Sequence, residues 1–210
     1  MSSLLVTLLL ALAQLVDRPG ADANAAIVIG LHGRGDTPEN FARIAESLGP
    51  RLHWLVPRGP LPWQQDMVGA QWFDQQAPDG GKAALQLALD VVAAQVRLAG
   101  KKPVALVGFS QGCMVAAQYV AAHPDQLRAV LCFGGRLLAP IHVPAGRHAV
   151  EIRFVHGKND KMVPFAKASE TVAALRKAGL NATLTEHDGG HVMPPQLLPE
   201  LRAWLAERLK

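Results

Sequence analysis

An α/β fold, with a mostly parallel sheet and helices on both faces, is what this 210-residue sequence predicts. Three observations point to it. Short apolar, β-branched runs alternate along the chain with longer runs rich in helix formers. Gly108-Phe109-Ser110-Gln111-Gly112 lies between two such runs, where a strand turns sharply into a helix. The length suits one domain over 1–210, with a sizeable core and little chain left for a separate lid.

The chain opens on an apolar stretch, Leu4 to Leu12, that runs into Ala11-Leu12-Ala13. This resembles a signal peptide over residues 1–13. No Lys or Arg precedes the stretch, however, whereas export signals start with positive charge. The stretch is expected to form an edge strand at Leu12–Val16 in a cytoplasmic protein, with export as the alternative. The loop Asp17–Asn24, which holds Pro19-Gly20, turns into the first central strand, Ala26–Leu31. A helix follows over Pro38–Leu48, its start marked by Asp36 or Thr37 as cap and by Pro38 in the first turn. Strand His53–Val56 leads into a long connection, Pro57–Gly81, and then helix Lys82–Ala99. Strand Val104–Phe109 precedes the turn at Ser110, and helix Gln111–His123 follows it. Strand Ala129–Phe133 comes next, then a second long connection, Gly134–Ala149, and strand Ile152–His156. Helix Phe165–Ala178, strand Ala182–His187 and helix Leu197–Leu209 complete the alternation. Both long connections follow strands, so both rise from the carboxyl edge of the sheet, where open α/β sheets bind ligands.

Composition excludes several classes. Half of the residues are hydrophobic and 18% are charged, which is the balance of a globular protein in water. The net charge of +4 comes from Lys and Arg scattered along the chain, so no nucleic-acid surface is expected. No segment has the length of a membrane span, so no stable membrane insertion is expected either. Cys113 and Cys132 lie in apolar runs and read as buried reduced thiols.

The turn at Ser110 carries the chemistry. Gly108 and Gly112 leave room where a side chain would collide with crossing backbone, and the first amides of the helix point toward the hydroxyl. A serine becomes a nucleophile only when a base takes its proton, and the base needs a partner to fix its tautomer. Ser110 follows a strand, so its partners must follow strands too. Among later carboxylates, Asp160 lies just after Ile152–His156, while Asp188, after the last strand, is the competitor. Asp125 belongs to the opposite edge, and Glu170 and Glu207 lie inside helices. Among the histidines, His191 in Gly189-Gly190-His191 follows the last strand, and the order Ser110, Asp160, His191 is the one expected after a nucleophile elbow. His32 and His156 also reach this edge, but each precedes a glycine and reads as a residue that shapes its own loop. A metal site at His187, Asp188 and His191 is disfavoured, because the glycines there break the helical geometry such a spacing needs. No cofactor is expected. An oxyanion would be held by the amide of Gln111, the residue after the nucleophile, and by a second amide from the turn Leu31–Asp36.

With Leu31–Thr37, Trp72-Phe73-Asp74, Gly108–Gly112, His156–Pro164 and Gly190-His191 in place, the chain resembles the phospholipase/carboxylesterase family of small α/β-hydrolases, which includes bacterial carboxylesterases and acyl-protein thioesterases. The resemblance implies an α/β-hydrolase fold, Ser110 as nucleophile, Asp160 as acid and His191 as base. It also implies oxyanion amides at Arg34 and Gln111 and an acyl-site loop near Trp72. Leu61, Trp63, Met67, Trp72 and Phe73 are the candidates to line the substrate site, against the plainer reading that they pack the loop onto the sheet. Two positions depart from the pattern. Cys113 stands where the family usually has glycine, and Arg34 replaces a residue that is often small or apolar. The implied function is a serine hydrolase that cleaves carboxylic esters or thioesters through an acyl-enzyme. The alternative is a non-catalytic ligand-binding protein on the same scaffold. The expected partner is a small-molecule or acyl ester substrate, and a homodimer stays open as an assembly.

Overall fold

β2 (Ile27–Leu31), β6 (Val104–Phe109) and β7 (Ala129–Phe133) are almost wholly apolar, and nearly every residue in them is buried. Strands of that kind must be covered on both faces, which is the condition of a parallel sheet flanked by helices. A computed structural model describes residues 14–63 and 68–210. In it these strands form the centre of a seven-stranded sheet ordered β1-β3-β2-β6-β7-β8-β9. The other members are β1 (Leu15–Arg18), β3 (His53–Pro57), β8 (Glu151–Gly157) and β9 (Asn181–His187). All neighbours pair in parallel except β1, which runs antiparallel to β3 at the edge.

Side chains alternate across this sheet. Ile27, Ile29, Leu31 and Leu106 point into one core, with α3 (Lys82–Ala99), α4 (Gln111–Ala122) and α5 (Phe165–Lys177). Val28, Ala105 and Val107 point into the other, with α1 (Pro38–Phe41), α2 (Ile44–Leu48) and α6 (Leu198–Arg208). β3 and β6 flank β2 on opposite sides, so the sheet's topological switch point lies between β2 and β6. The loops that leave these two strands open the crevice where such sheets bind ligands. One carries Gly33 and Arg34, and the other carries Ser110.

Three expectations need correction. The edge strand covers Leu15–Arg18 rather than Leu12–Val16. Residues 12 and 13, like the whole candidate leader 1–13, lie outside the described residues. The single helix expected over Pro38–Leu48 is two short ones. The amides of Arg43, Ala45 and Glu46 bond three residues back, and this tighter winding separates Phe41 from Ile44 while keeping Phe41 and Leu48 both buried on the sheet. Of the two cap candidates, Thr37 is the residue used, accepting from the Asn40 amide at 3.1 Å. The connection Pro57–Gly81 contains a hairpin, β4 (Leu61–Trp63) and β5 (Gly69–Gln71), tied to the turn after β2 by Gly35 N–H to Ala70 O at 2.8 Å and Ala70 N–H to Asp36 O at 2.9 Å. Strands of three residues, one holding Pro62, are too short to leave a period in the sequence. Among the described residues no helix is long and apolar enough to cross a membrane.

The first turn of α4 rests on the end of β2. A Cβ on Gly112 would fall inside the Leu31 carbonyl and 2.7 Å from His32 O. Both are backbone, which cannot swing aside. Gly112→Ala is therefore expected to cost about 3 kcal/mol or more, at the upper end of overpacking penalties, read as a lowered urea midpoint. An unchanged midpoint would contradict this packing.

Candidate active site

Ser110 is the one non-glycine residue with positive φ among the described residues, at φ 53° and ψ −116°. Such a conformation in an L residue stores about 1–3 kcal/mol, which the surrounding structure must offset. The restraints are visible. Ser110 N–H donates to Phe133 O at 2.8 Å, its own carbonyl accepts from Met114 N–H at 3.1 Å, and Gly108 supplies the close approach to the Gly112 and Cys113 backbone. The hydroxyl is thereby carried above the sheet edge at the amino end of α4.

Asp160 and His191 meet at the same edge. His191 Nδ1 donates to Asp160 Oδ2 at 2.7 Å, and the side chain of Asp160 is fully buried. Burial works against the charged carboxylate. The amide of Val163, the His191 ring and the amide of Met162 together outweigh it and hold Asp160 below the ordinary carboxylate range. Those two amides reach Asp160 Oδ1 at 2.9 and 2.8 Å. Asp188, the competitor, is turned to solvent and pairs with Lys158 Nζ at 2.6 Å. His187 is engaged elsewhere too, its Nδ1 accepting from Gly189 N–H at 3.1 Å, so His187, Asp188 and His191 each turn to a different partner.

The strand end Phe133–Gly135 runs between Ser110 and His191. Phe133 accepts from Ser110, and a Cβ on Gly134, whose φ is +59°, would lie 3.0 Å from His191 Cε1. The ring of Phe109, from the strand that delivers Ser110, lies 4.9 Å from the His191 ring, tilted by 45°. Among the described residues no hydrogen bond joins the Ser110 hydroxyl to His191, and such bonds are often long before substrate binds.

The turn after β2 forms the opposite wall. Gly59 N–H donates to His32 Nε2 at 3.0 Å, so Nδ1 carries the proton that His32 gives to Gly33 O at 2.7 Å. Burial holds this ring below the ordinary histidine range, which keeps it neutral. His32 thus shapes its loop, as does His156, whose Nε2 donates to Val163 O at 2.8 Å and lies 3.3 Å from Asp160 Oδ2. The backbone amides of Arg34 and Gln111 make no hydrogen bond among the described residues, and Gln111 opens α4, where amides lack intrahelical partners.

Beside them lies a recess of about 230 Å³ lined by Arg34, Trp63 and Phe73. Of the other candidates for the substrate site, Trp72 does not reach it. It is fully buried, with its indole N–H on His32 O at 2.8 Å, and belongs to the packing of the loop. Leu61 is not among the residues lining it, and Met67 lies outside the described residues. Two contributions were not read from the sequence. The side chain of Gln111 clamps the loop, accepting from Trp72 N–H at 3.0 Å and donating to Phe73 O at 2.9 Å. The other is the pair Gly134-Gly135, which a glycine doublet directly after an apolar strand could have flagged. Gly135 makes room for Cys113: a Cβ there would overlap the Cys113 thiol and lie 2.7 Å from its Cβ. Cys113 and Cys132 are both free and buried, as their apolar surroundings implied, and burial pushes the Cys113 thiol well above its ordinary range.

A strained serine on a strand–helix turn, with a buried carboxylate–imidazole pair at the same sheet edge, defines a protein of the α/β-hydrolase class. The sequence profile of the phospholipase/carboxylesterase family matches residues 14–208, and the chain belongs to that family. Its relatives include esterase YpfH of Escherichia coli, 28% identical over 189 residues that cover 85% of this chain and 80% of the relative. Acyl-protein thioesterase 1 of Cryptococcus neoformans is 26% identical over 225 residues, covering 90% and 94% of the two chains. Among solved structures, the carboxylesterase of Bacillus cereus matches with a TM-score of 0.82 at 17% identity, over 99% of this chain and all of the other. Acyl-protein thioesterase 2 of Zea mays matches with a TM-score of 0.79 at 20% identity, over 93% and 99%. At these identities the structural likeness speaks for the fold alone.

Because Gly135 yields space to Cys113, Gly135→Ala should destabilise by about 1–3 kcal/mol. Most of that cost should vanish in a Cys113→Gly background, a coupling of about 1 kcal/mol or more measured by a double-mutant cycle in urea. Equal costs in both backgrounds would show that the thiol is not the obstacle.

Proposed function

We propose that this carboxylesterase-type hydrolase works through a triad of Ser110, His191 and Asp160 and a covalent acyl-enzyme. The observation that carries the reading is the 2.7 Å bond from His191 Nδ1 to the buried, charged Asp160. It fixes the proton on Nδ1 and leaves Nε2 bare, the only state in which the ring can act as a base. Ser110 Oγ attacks the ester carbonyl carbon as His191 Nε2 takes its proton. The negative charge that develops on the carbonyl oxygen is received by the amides of Arg34 and Gln111 and favoured by the amino end of α4. As the tetrahedral intermediate collapses, the imidazolium gives its proton to the leaving alcohol or thiol, and the acyl group stays on Ser110. Water repeats the sequence with His191 as base, which releases the acid and restores the serine.

Asp160 has no substitute at His191 in this arrangement, because Asp188 is held by Lys158. Asp160→Asn is expected to lower kcat on the order of ten-thousandfold through the wrong tautomer, and Asp188→Asn to change it little. Ser110→Ala should lose on the order of a million-fold. Steady-state hydrolysis of a 4-nitrophenyl ester by the folded variants measures all three. A larger loss for Asp188→Asn than for Asp160→Asn would reassign the acid.

A further inference from the structure

The recess beside the oxyanion amides is unlike what a long acyl chain requires. Its volume of about 230 Å³ falls below the roughly 300–1,000 Å³ of typical small-molecule sites. Apart from Trp63 and Phe73, its walls are polar, with the amides of Gln71, Gln75 and Gln76 and the carboxylate of Asp74. An alkyl chain laid there would strip water from these groups and return no hydrogen bond. A methylene added to the substrate gains affinity only against apolar walls.

A cation stands at the exposed rim of the recess. The Arg34 guanidinium lies 4.9 Å over the Trp63 ring, and no carboxylate pairs with it among the described residues. Trp63 is itself fixed, because its indole packs on Gly35, where a Cβ would come within 2.9 Å of the ring. A guanidinium resting on an aromatic face keeps its N–H fork free in the plane, the geometry that receives a carboxylate. Among the described residues, the two nearby acids, Asp36 and Asp74, accept from protein donors. Asp36 Oδ1 accepts from Thr37 N–H and the Asn40 side chain at 2.8 and 2.7 Å, and Asp74 Oδ1 accepts from Gln76 N–H at 3.0 Å. Asp74 disfavours an anion brought toward it, which leaves the Arg34 side of the recess as the place where one is accepted.

We infer that Arg34 selects esters that carry a carboxylate a few bonds from the scissile carbonyl, over neutral esters of the same length. This rests on the triad reading above, since Arg34 and Gln111, which line the recess, are the residues whose amides that reading assigns to the oxyanion. The Arg34 amide serves the oxyanion whatever its side chain, so the side chain is free to set specificity. The carboxylate can belong to either half of the ester, and the two sources are separable. On the acyl side, the 4-nitrophenyl monoester of glutaric acid is compared with 4-nitrophenyl pentanoate. On the alcohol side, 4-acetoxybutanoate is compared with butyl acetate by pH-stat.

The readout is the ratio of kcat/KM, charged over neutral, which is blind to any loss common to both substrates. In the protein as it stands the ratio is expected to be about two- to fivefold in one arm, the scale of an ion pair at an exposed arginine. Arg34→Gln should bring that ratio to near one, and Arg34→Glu should invert it. Raising the salt concentration should lower it only in the Arg34 protein. A ratio of one or less in both arms, with the neutral esters still hydrolysed, overturns the proposal and leaves the triad standing. A ratio that survives Arg34→Gln overturns it as well. If no ester is turned over and a fluorophosphonate fails to label Ser110, the hydrolase reading falls and the proposal falls with it.

Discussion

The first turn of α4 sits on the carboxyl end of β2 with no side chain between them, and the geometry of the site descends from that approach. Gly112 meets the carbonyls of Leu31 and His32 directly. With the helix held this close, the single residue between β6 and α4 must reverse the chain alone, and Ser110 takes up a backbone conformation that its side chain disfavours. The same contact fixes the turn after β2 relative to the helix. The segments that carry the Arg34 and Gln111 amides are therefore held against one another.

A second constraint concerns charge. Asp160 is buried beside another buried ring, that of His156, and a carboxylate in such a place survives only when enough donors surround it. Two backbone amides from the turn after β8 and the His191 ring supply them. The loop is itself restrained, since His156 holds Val163 from the strand below. The imidazole thus belongs to a network with the Asp160 carboxylate, the His156 ring and the backbone of the turn after β8. At the end of β2, three strands away in the sheet, His32 does the same for its own turn, held neutral by burial and by bonds at both ring nitrogens.

The sheet was legible in the sequence because its central strands are buried on both faces and write continuous apolar runs, as Val104–Phe109 and Ala129–Phe133 do. Because a parallel sheet gives its strands the same sense, sorting residues by the edge they follow reduced the candidates to Asp160 and Asp188, and to His191, His32 and His156, and the chain order expected after a nucleophile elbow favoured Asp160 and His191. What escaped detection was local or long-range. The hairpin Leu61–Trp63 with Gly69–Gln71 is too short for a period, and the break between Phe41 and Ile44 is set by packing on the sheet. For Trp72 the sequence left substrate lining and loop packing both open, and its buried indole, bonded to the His32 carbonyl, belongs to the packing. The accommodation of Cys113 by Gly135 joins residues from two elements, and no spacing in one chain announces such a pair.

The acyl-enzyme is the central claim, and it can be seen directly. Rapid quenching of the protein during turnover of 4-nitrophenyl acetate, followed by peptide mass spectrometry, should find one acetyl group, on the peptide that contains Ser110, at the earliest times. An acetyl group confined to another residue, or turnover without any acylated peptide, would contradict the account.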